Sequence, residues 1–392
     1  MQKIAIISTH PIQYNAPLFR VLSQNEDFTC KVFYTWSQSE KPVFDPGFGI
    51  ERSWDIPLLE GYDYQFVENS SKKPGTHHFK GIVNPGLIKE LNKYGPDAML
   101  VFGWSFHSHL ACMRHFKGKV PIFFRGDSTI LDEKPGLKKI IRRFFLTWVY
   151  RHIDYALYVG QQNKAYFLAH GLKNEQLVFA PHAVDNQRFS ENAVTFETEA
   201  TQWREKLGIK STDLVVLFAG KLEDKKDPWF LLRMAKIVPD PTLKILIVGN
   251  GHLEKDLKSA ASADPRIIFV DFQNQRTMPV VYRMADIFIL PSVRNETWGL
   301  AINEAMVCGR PVIASDKVGC VPNLVIDSVT GWVFETGKAG EGRIVGIIKS
   351  LLKHPEQLLK MGSIASEKVK GYSYSVINAN IGTLLDRIVK KD

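Results

Sequence analysis

Short runs of β-branched and aromatic residues alternate with longer stretches of helical period along this chain, and few architectures accept that order. A parallel neighbour strand needs a long return connection, so the alternation specifies parallel sheets with crossover helices. Strand candidates in the first half are Lys3–Ser8, Thr29–Tyr34, Ala98–Phe102, Val120–Phe124, Tyr155–Val159 and Gln176–Ala180. In the second half they are Leu214–Ala219, Leu243–Val248, Ile267–Val270, Ile287–Leu290 and Pro311–Ala314. A chain of 392 residues exceeds one ordinary core, so two α/β domains are expected.

The expected boundaries follow composition. A first domain spans 1–189. Residues 190–212 are polar apart from a short helix-like piece, Trp203–Leu207, and read as the connection. A second domain spans 213–372. Residues 373–392 carry Val376, Ile377, Ile381, Leu384, Leu385 and Ile388 at helical spacing, which predicts a terminal helix docked by one face. Residues 35–80, rich in Gly, Pro, Trp and His, fit a long irregular insertion.

No apolar run approaches the ~20 residues of a membrane span. One lysine and then the strand-like run Ile4–Ile7 do not make a signal peptide. Cys30, Cys112, Cys308 and Cys320 have no paired spacing, so reduced thiols in a cytoplasmic protein are expected. The net charge is +9, and residues 114–151 hold ten basic and three acidic side chains. Such a patch attracts phosphates, anionic lipid or nucleic acid. No nucleic-acid module accompanies it. Within residues 137–152, Leu137, Ile140, Ile141, Phe144, Phe145, Trp148 and Val149 form an apolar stripe beside Lys138, Lys139, Arg142 and Arg143. Two readings stand: a helix lying on an anionic membrane surface, or a crossover helix with its stripe in the core and its basic face solvated.

The chemistry concentrates in Glu296-Thr297-Trp298-Gly299-Leu300-Ala301-Ile302-Asn303-Glu304, after the run Ile287–Leu290. A helix opened at Gly299 makes an anion site, because its first amides have no internal partners and carry the positive dipole end. One carboxylate before the helix and one two turns along it are placed to hold the two ends of a sugar nucleotide, with the diphosphate between them. The run Leu214–Ala219 ends in Gly220-Lys221-Leu222-Glu223-Asp224-Lys225-Lys226. Lys221 and Lys226 there are either a diphosphate clamp or a solvated charged turn. Gly249-Asn250-Gly251 lacks the third glycine of a dinucleotide fingerprint and reads as a tight strand-to-helix turn. His107 and His109 alternate as on a strand or loop, without partners for a metal site. No Asp-x-Asp occurs. No metal or other cofactor is expected.

The combination of Phe218-Ala219-Gly220-Lys221 with Lys226, Val248-Gly249-Asn250-Gly251 and Ala285–Ser292 resembles a known family. Glu296…Glu304-Ala305-Met306, Gly309–Ser315 and Gly331-Trp332-Val333-Phe334 complete the pattern. It is that of the family-four retaining glycosyltransferases. The match is strong from Phe218 to Phe334 and collinear before it. The resemblance implies the GT-B fold: two doubly wound Rossmann-like domains facing across a cleft, the first for an acceptor and the second for a nucleotide sugar. It implies that Glu296 contacts the donor sugar's hydroxyls and Glu304 the ribose. Amides at Gly299 and Leu300 then face the diphosphate, with Lys226 and Lys221, the latter where arginine is more usual. Phe272 and Gln273 fall where the family contacts the base.

Two segments depart from the family. Thr9–Pro17, with His10 and Gln13, replaces a glycine-rich turn. Phe124-Arg125-Gly126-Asp127-Ser128 replaces a strand end with histidine near the sugar. His10, Gln13, Arg125 and Asp127 are thus acceptor-site candidates, with Asp127 also a catalytic one; a hydrogen-bonded structural turn is the other reading of His10 and Gln13. The expected activity is metal-independent transfer of a hexose-type sugar from a UDP- or GDP-sugar to a saccharide or lipid-linked hydroxyl, in cell-envelope or exopolysaccharide synthesis. A nucleotide-sugar epimerase or hydrolase of the same fold and a non-catalytic membrane scaffold are the alternatives.

Overall fold

The computed structural model describes residues 1–37, 43–45 and 50–389. The chain divides into two compact units. The first is Met1–Val43, Ile56–His182 and Tyr374–Asp392; the second is Phe44–Asp55 and Ala183–Ser373. Part of the expected insertion over 35–80, at 38–42 and 46–49, lies outside the described residues, as do 390–392 at the end of the expected terminal helix.

In chain order the strands are β1 (Gln2–Ser8), β2 (Phe28–Tyr34), β3 (Val43–Asp45), β4 (Ile50–Arg52), β5 (Asp63–Phe66), β6 (Ala98–Phe102), β7 (Ile122–Arg125), β8 (Tyr155–Tyr158) and β9 (Leu177–Phe179). Next come β10 (Leu214–Ala219), β11 (Leu243–Val248), β12 (Ile267–Val270), β13 (Ile287–Leu290), β14 (Val312–Ser315) and β15 (Gly331–Phe334). Two parallel α/β sheets result, as the alternation predicts. The first unit's sheet has seven strands in the order β5-β2-β1-β6-β7-β8-β9. The second unit's sheet has six, in the order β12-β11-β10-β13-β14-β15.

In each sheet the order reverses about one strand. β1 lies between β2 and β6, with Ile4 opposite Cys30 on one side and Ala98 on the other. β10 lies between β11 and β13, with Val216 opposite Ile245 and Ile287. Chains leaving the two strands at such a reversal diverge to opposite faces, and the crevice at their carboxyl ends accepts ligands. Residues after β10 and β13 therefore border one crevice, and residues after β1 border another.

Every residue of β10 is buried, because helices cover both faces of its sheet. Val216, Phe218, Ile245, Ile247 and Ile289 join Phe230, Met234 and Ile348 in the second unit's core. Each such side chain contributes about 1.5–3 kcal/mol on burial. Ala5, Ile7, Met99, Val101 and Phe124 anchor the corresponding core of the first unit.

Some local expectations are corrected. Strand β5, in the expected insertion, reads Asp-Tyr-Gln-Phe and lacks β-branched residues; it is an edge strand whose Phe66 stacks on Tyr34 at 5.4 Å. The polar connection contains a full helix, Ala193–Lys206, rather than the short piece Trp203–Leu207. Ala200 is its one buried residue, so it has no apolar stripe to betray it. Charge contacts hold it instead: Glu197 reaches Arg310 at 2.9 Å and Arg283 at 3.4 Å, and Arg204 reaches Asp286 at 3.3 Å. His107 and His109 lie on the helix His107–Phe116, not on a strand or loop. All four cysteines are buried and unbridged.

Candidate active site

The second unit's crevice is built on the loop after β13. Gly299 caps the helix Leu300–Val307 with φ 92°, a left-handed conformation that favours glycine. A Cβ there would lie 2.8 Å from Val318 Cγ1. The loop is sewn to the next connection by its backbone: Gly319 N–H donates to Glu296 O at 2.9 Å, and Cys320 N–H to Trp298 O at 3.0 Å. A Cβ on Gly319 would sit 1.9 Å from Thr297 O, so only glycine permits this approach. Trp298 Nε1 donates to Asn303 Oδ1 at 2.8 Å inside the protein, tying the loop to its own helix. The helix N-terminus is thereby fixed at the crevice, where its first amides and dipole favour an anion.

Glu296 stands before that helix. Its Oε2 accepts from Lys226 Nζ and, at 3.1 Å, from Ser292 Oγ. Lys226 ends the short 3-10 turn Asp224–Lys226 after β10, so the reversal between β10 and β13 brings the pair together. Both side chains are largely buried. The charged-turn reading of Lys226 gives way to an ion pair facing β13. Lys221 lies two residues beyond the end of β10 and is half-buried.

Glu304 is buried and accepts from Tyr282 Oη at 2.6 Å. It is the fifth residue of an eight-residue helix, a little over one turn in, not two as the spacing predicts. Phe272 and Gln273 follow β12, at the edge of the sheet. Phe272 N–H donates to Asn250 Oδ1 at 2.6 Å, and Gln273 Nε2 to Asp271 O at 3.0 Å. The glycines flanking Asn250 do more than make a turn. A Cβ on Gly249 would lie 2.1 Å from Gly220 O, and one on Gly251 2.4 Å from Leu222 O. They let the β11 loop pack backbone to backbone on the loop carrying Gly220 and Lys221, with Leu222 N–H donating to Asn250 O at 3.0 Å.

The first unit holds the remaining candidates. His10 meets the edge of Trp36, with ring centroids 5.5 Å apart, and its buried Nδ1 has no hydrogen-bond partner among the described residues. Burial holds its pKa down to about 4, so the ring is neutral. Gln13 lies in the turn before the first helix, where Asn15 N–H donates to Ile12 O. Arg125, at the end of β7, is buried and donates through Nη1 to Ala180 O at 2.6 Å and through Nη2 to Pro181 O at 2.9 Å. Burial lowers its pKa to about 10 against the opposing pull of Asp127. Its fork therefore fixes the 180–181 backbone. That places His182 Nε2 3.7 Å from Asp127 Oδ2. Burial lowers the His182 pKa, while the bond to Asp127 opposes it and Arg125 reinforces it.

Residues 199–368 match the family model described as glycosyl transferases group 1. This stretch, somewhat under half of the chain, is similar to the group 1 glycosyltransferases. An uncharacterized glycosyltransferase of Methanocaldococcus jannaschii is 31% identical over 141 residues, 35% of this chain and 36% of that protein. The D-inositol 3-phosphate glycosyltransferase of Corynebacterium glutamicum is 29% identical over 204 residues, 48% of this chain and 47% of that protein. The chain thus spans about half or less of the curated relatives it matches. The structure of Anabaena HepE in complex with UDP and glucose aligns with TM-score 0.72 at 17% identity, covering 99% of this chain and 100% of that one. The architecture is the GT-B fold.

The second unit brings Gly220, Lys221, Lys226, Glu296, Gly299, Leu300 and Glu304 to one strand reversal. Phe272 and Gln273 stand two strands away, across β11. Four supporting residues escaped sequence reasoning. Ser292 closes the quoted run Ala285–Ser292, so proximity to Glu296 was its available signal. Tyr282 acts on Glu304 from a distant segment that nothing local marks, and Asn250 lies in the quoted Gly249-Asn250-Gly251 turn, which does not reveal its bond to Phe272. Arg188 donates to Gln275 O and, at 2.8 Å, to Gln275 Oε1, bracing the loop after β12 from outside the motif region. In the first unit the meeting of His182 with Asp127 depends on Arg125, which holds the backbone just before the histidine.

Proposed function

We propose that the protein is a retaining glycosyltransferase that moves a hexose-type sugar from a UDP- or GDP-sugar to a hydroxyl of a saccharide or lipid-linked acceptor, in cell-envelope or exopolysaccharide synthesis in the cytoplasm. The observation that carries this reading is the anion-binding helix end at Gly299, flanked by Glu296 and Glu304 and faced by Lys226, inside the stretch similar to the group 1 glycosyltransferases. The UDP and glucose of the HepE structure favour a uridine donor.

In this reading the diphosphate lies on the amides of Gly299 and Leu300. Lys226 and Lys221 neutralise the charge that grows on it as the glycosidic bond breaks, with no metal required. Glu304 holds the ribose, Phe272 and Gln273 the base, and Glu296 the sugar hydroxyls beside the reacting carbon. The departing phosphate takes the acceptor's proton. In the first unit Asp127, with His10, Gln13 and Arg125 nearby in the sheet order, orients the acceptor.

Calorimetry with UDP-, GDP- and ADP-sugars identifies the donor, and NMR of the product reads its anomeric linkage. Retention of the donor's configuration and turnover in EDTA are expected. An inverted linkage contradicts the mechanism. Turnover to free epimerised sugar without any acceptor replaces transfer by the epimerase or hydrolase reading.

A further inference from the structure

The basic helix Leu137–Tyr150 turns its apolar side outward. Its buried residues are Leu146, Val149 and Tyr150, which join the first unit's core. The rest of the expected stripe does not. Leu137 is 71% exposed, Ile140 54%, Ile141 60%, Phe144 76%, Phe145 43% and Trp148 37%. At 3.6 residues per turn these six fall in an arc of about 140°, centred nearly opposite Leu146. A crossover helix in water does the reverse, burying its apolar stripe. An exposed apolar patch of this kind marks a surface that something else covers.

The flanking charges say what covers it. Lys138 and Arg142 stand exposed on one shoulder of the arc. Arg143 stands beyond the other shoulder and Lys139 nearly opposite the arc, both paired with Glu133, at 3.7 and 3.0 Å. Arg114 lies over the Trp148 ring at 5.7 Å. A second copy of this chain would set the same cations against themselves across a two-fold axis, a like-charge contact that costs affinity. An anionic lipid surface satisfies both parts of the face at once: the apolar arc enters the acyl boundary while lysine and arginine stems reach phosphates.

We propose that this helix docks the first unit on an anionic membrane surface. Leu137, Ile141, Phe144 and Trp148 form the inserted edge, with Lys138 and Arg142 at headgroup level. The helix begins ten residues after Asp127, at the end of the loop leaving β7. Resting on the reading of Asp127 as an acceptor residue, the same docking presents that loop to an acceptor carried by lipid. Docking itself needs no donor or acceptor, so it stands or falls apart from the transfer reaction.

The test is co-sedimentation of the full chain with phosphatidylcholine vesicles, with and without phosphatidylglycerol. Strong binding is expected with phosphatidylglycerol, much weaker binding without it, and release at high salt. An Ile141→Ser, Phe144→Ser variant should lose binding. A Lys138→Glu, Arg142→Glu variant should bind more than roughly tenfold more weakly. Both change exposed positions and should keep the wild-type melting temperature. Equal binding by correctly melting variants overturns the proposal, as does failure of the wild type to bind. So does light scattering that shows a dimer broken by Phe144→Ser without any vesicle binding.

Discussion

Lys226 and Glu296, seventy residues apart in the chain, form an ion pair on the Oε2 atom of the glutamate. The group assigned to the diphosphate and the group assigned to the sugar thus hold one another. Charge-assisted bonds of this kind are worth about 1.5–3 kcal/mol, or roughly tenfold to a hundredfold in affinity. Lys226→Ala should therefore weaken UDP binding by about tenfold or more. Glu296→Ala should chiefly lower kcat, with UDP affinity within about threefold of wild type. Calorimetry and initial rates separate the two effects. Wild-type-like transfer by Glu296→Ala and Glu304→Ala together would sink the site assignment.

Glu304 and Tyr282 give a second, separable prediction. Glu304→Ala should cost nucleotide affinity directly, by roughly tenfold or more, because a carboxylate on ribose hydroxyls is lost. Tyr282→Phe keeps the carboxylate and removes one donor that orients it. A loss of less than about tenfold in affinity is expected there, with stability lower by about 1 kcal/mol. If Tyr282→Phe is as damaging as Glu304→Ala in UDP titrations, Glu304 acts as a structural buried acid rather than a ligand.

Gly319 tests the backbone frame without touching a proposed ligand contact. Alanine there drives Cβ into Thr297 O, a backbone atom that cannot rotate away. A loss of about 3 kcal/mol or more is expected. Urea denaturation measures it, and an unchanged midpoint would mean that the 296–298 loop moves freely.

His109 makes stability depend on pH. It is wholly buried; its Nδ1–H donates to Phe102 O at 3.0 Å, and its Nε2 accepts from Thr35 Oγ1 at 3.0 Å. Burial holds its pKa down to about 4. The unfolded chain takes up this proton near pH 6.5 and the native protein does not. The contribution is thus whole above pH 6.5 and shrinks as pH falls from there toward 4. About 2 kcal/mol should be gone at pH 5. His109→Gln should lower stability at pH 7 yet narrow the difference between urea midpoints at pH 7 and pH 5. An undiminished difference would assign the effect to His10 and other groups.

The strands of both sheets, β5 and β15 excepted, were legible because each is a compact apolar run. β10 through β13 emerge at the expected residues, since burial on both faces leaves no polar positions to blur them. β5 was not legible: at a sheet edge, aromatic contacts substitute for a buried pattern. The linker helix was hidden for a related reason, because Glu197 and Arg204 anchor it by charge rather than by an apolar stripe. Glu296, Gly299 and Glu304 were readable as a unit because one loop and one helix carry them. Their companions Ser292, Tyr282 and Asn250 are joined to them by the fold. The stripe of the helix Leu137–Tyr150 shows the limit most plainly. Periodicity found the apolar face, but only the packing of Leu146 and Val149 tells which side is turned inward.

The helix Tyr374–Val389 is built into the first unit. Ile377, Ile381, Leu384 and Leu385 are buried, Asn380 donates to Phe179 O at 2.8 Å, and Tyr374 donates to Tyr14 O at 3.0 Å. During synthesis, then, the unit that is begun first is completed last. Its sheet leaves the ribosome with an uncovered apolar patch and must wait while some 190 residues of the second unit are made. A chain released just short of Tyr374 carries the whole second unit and an open first one, the form of this chain with most need of a chaperone.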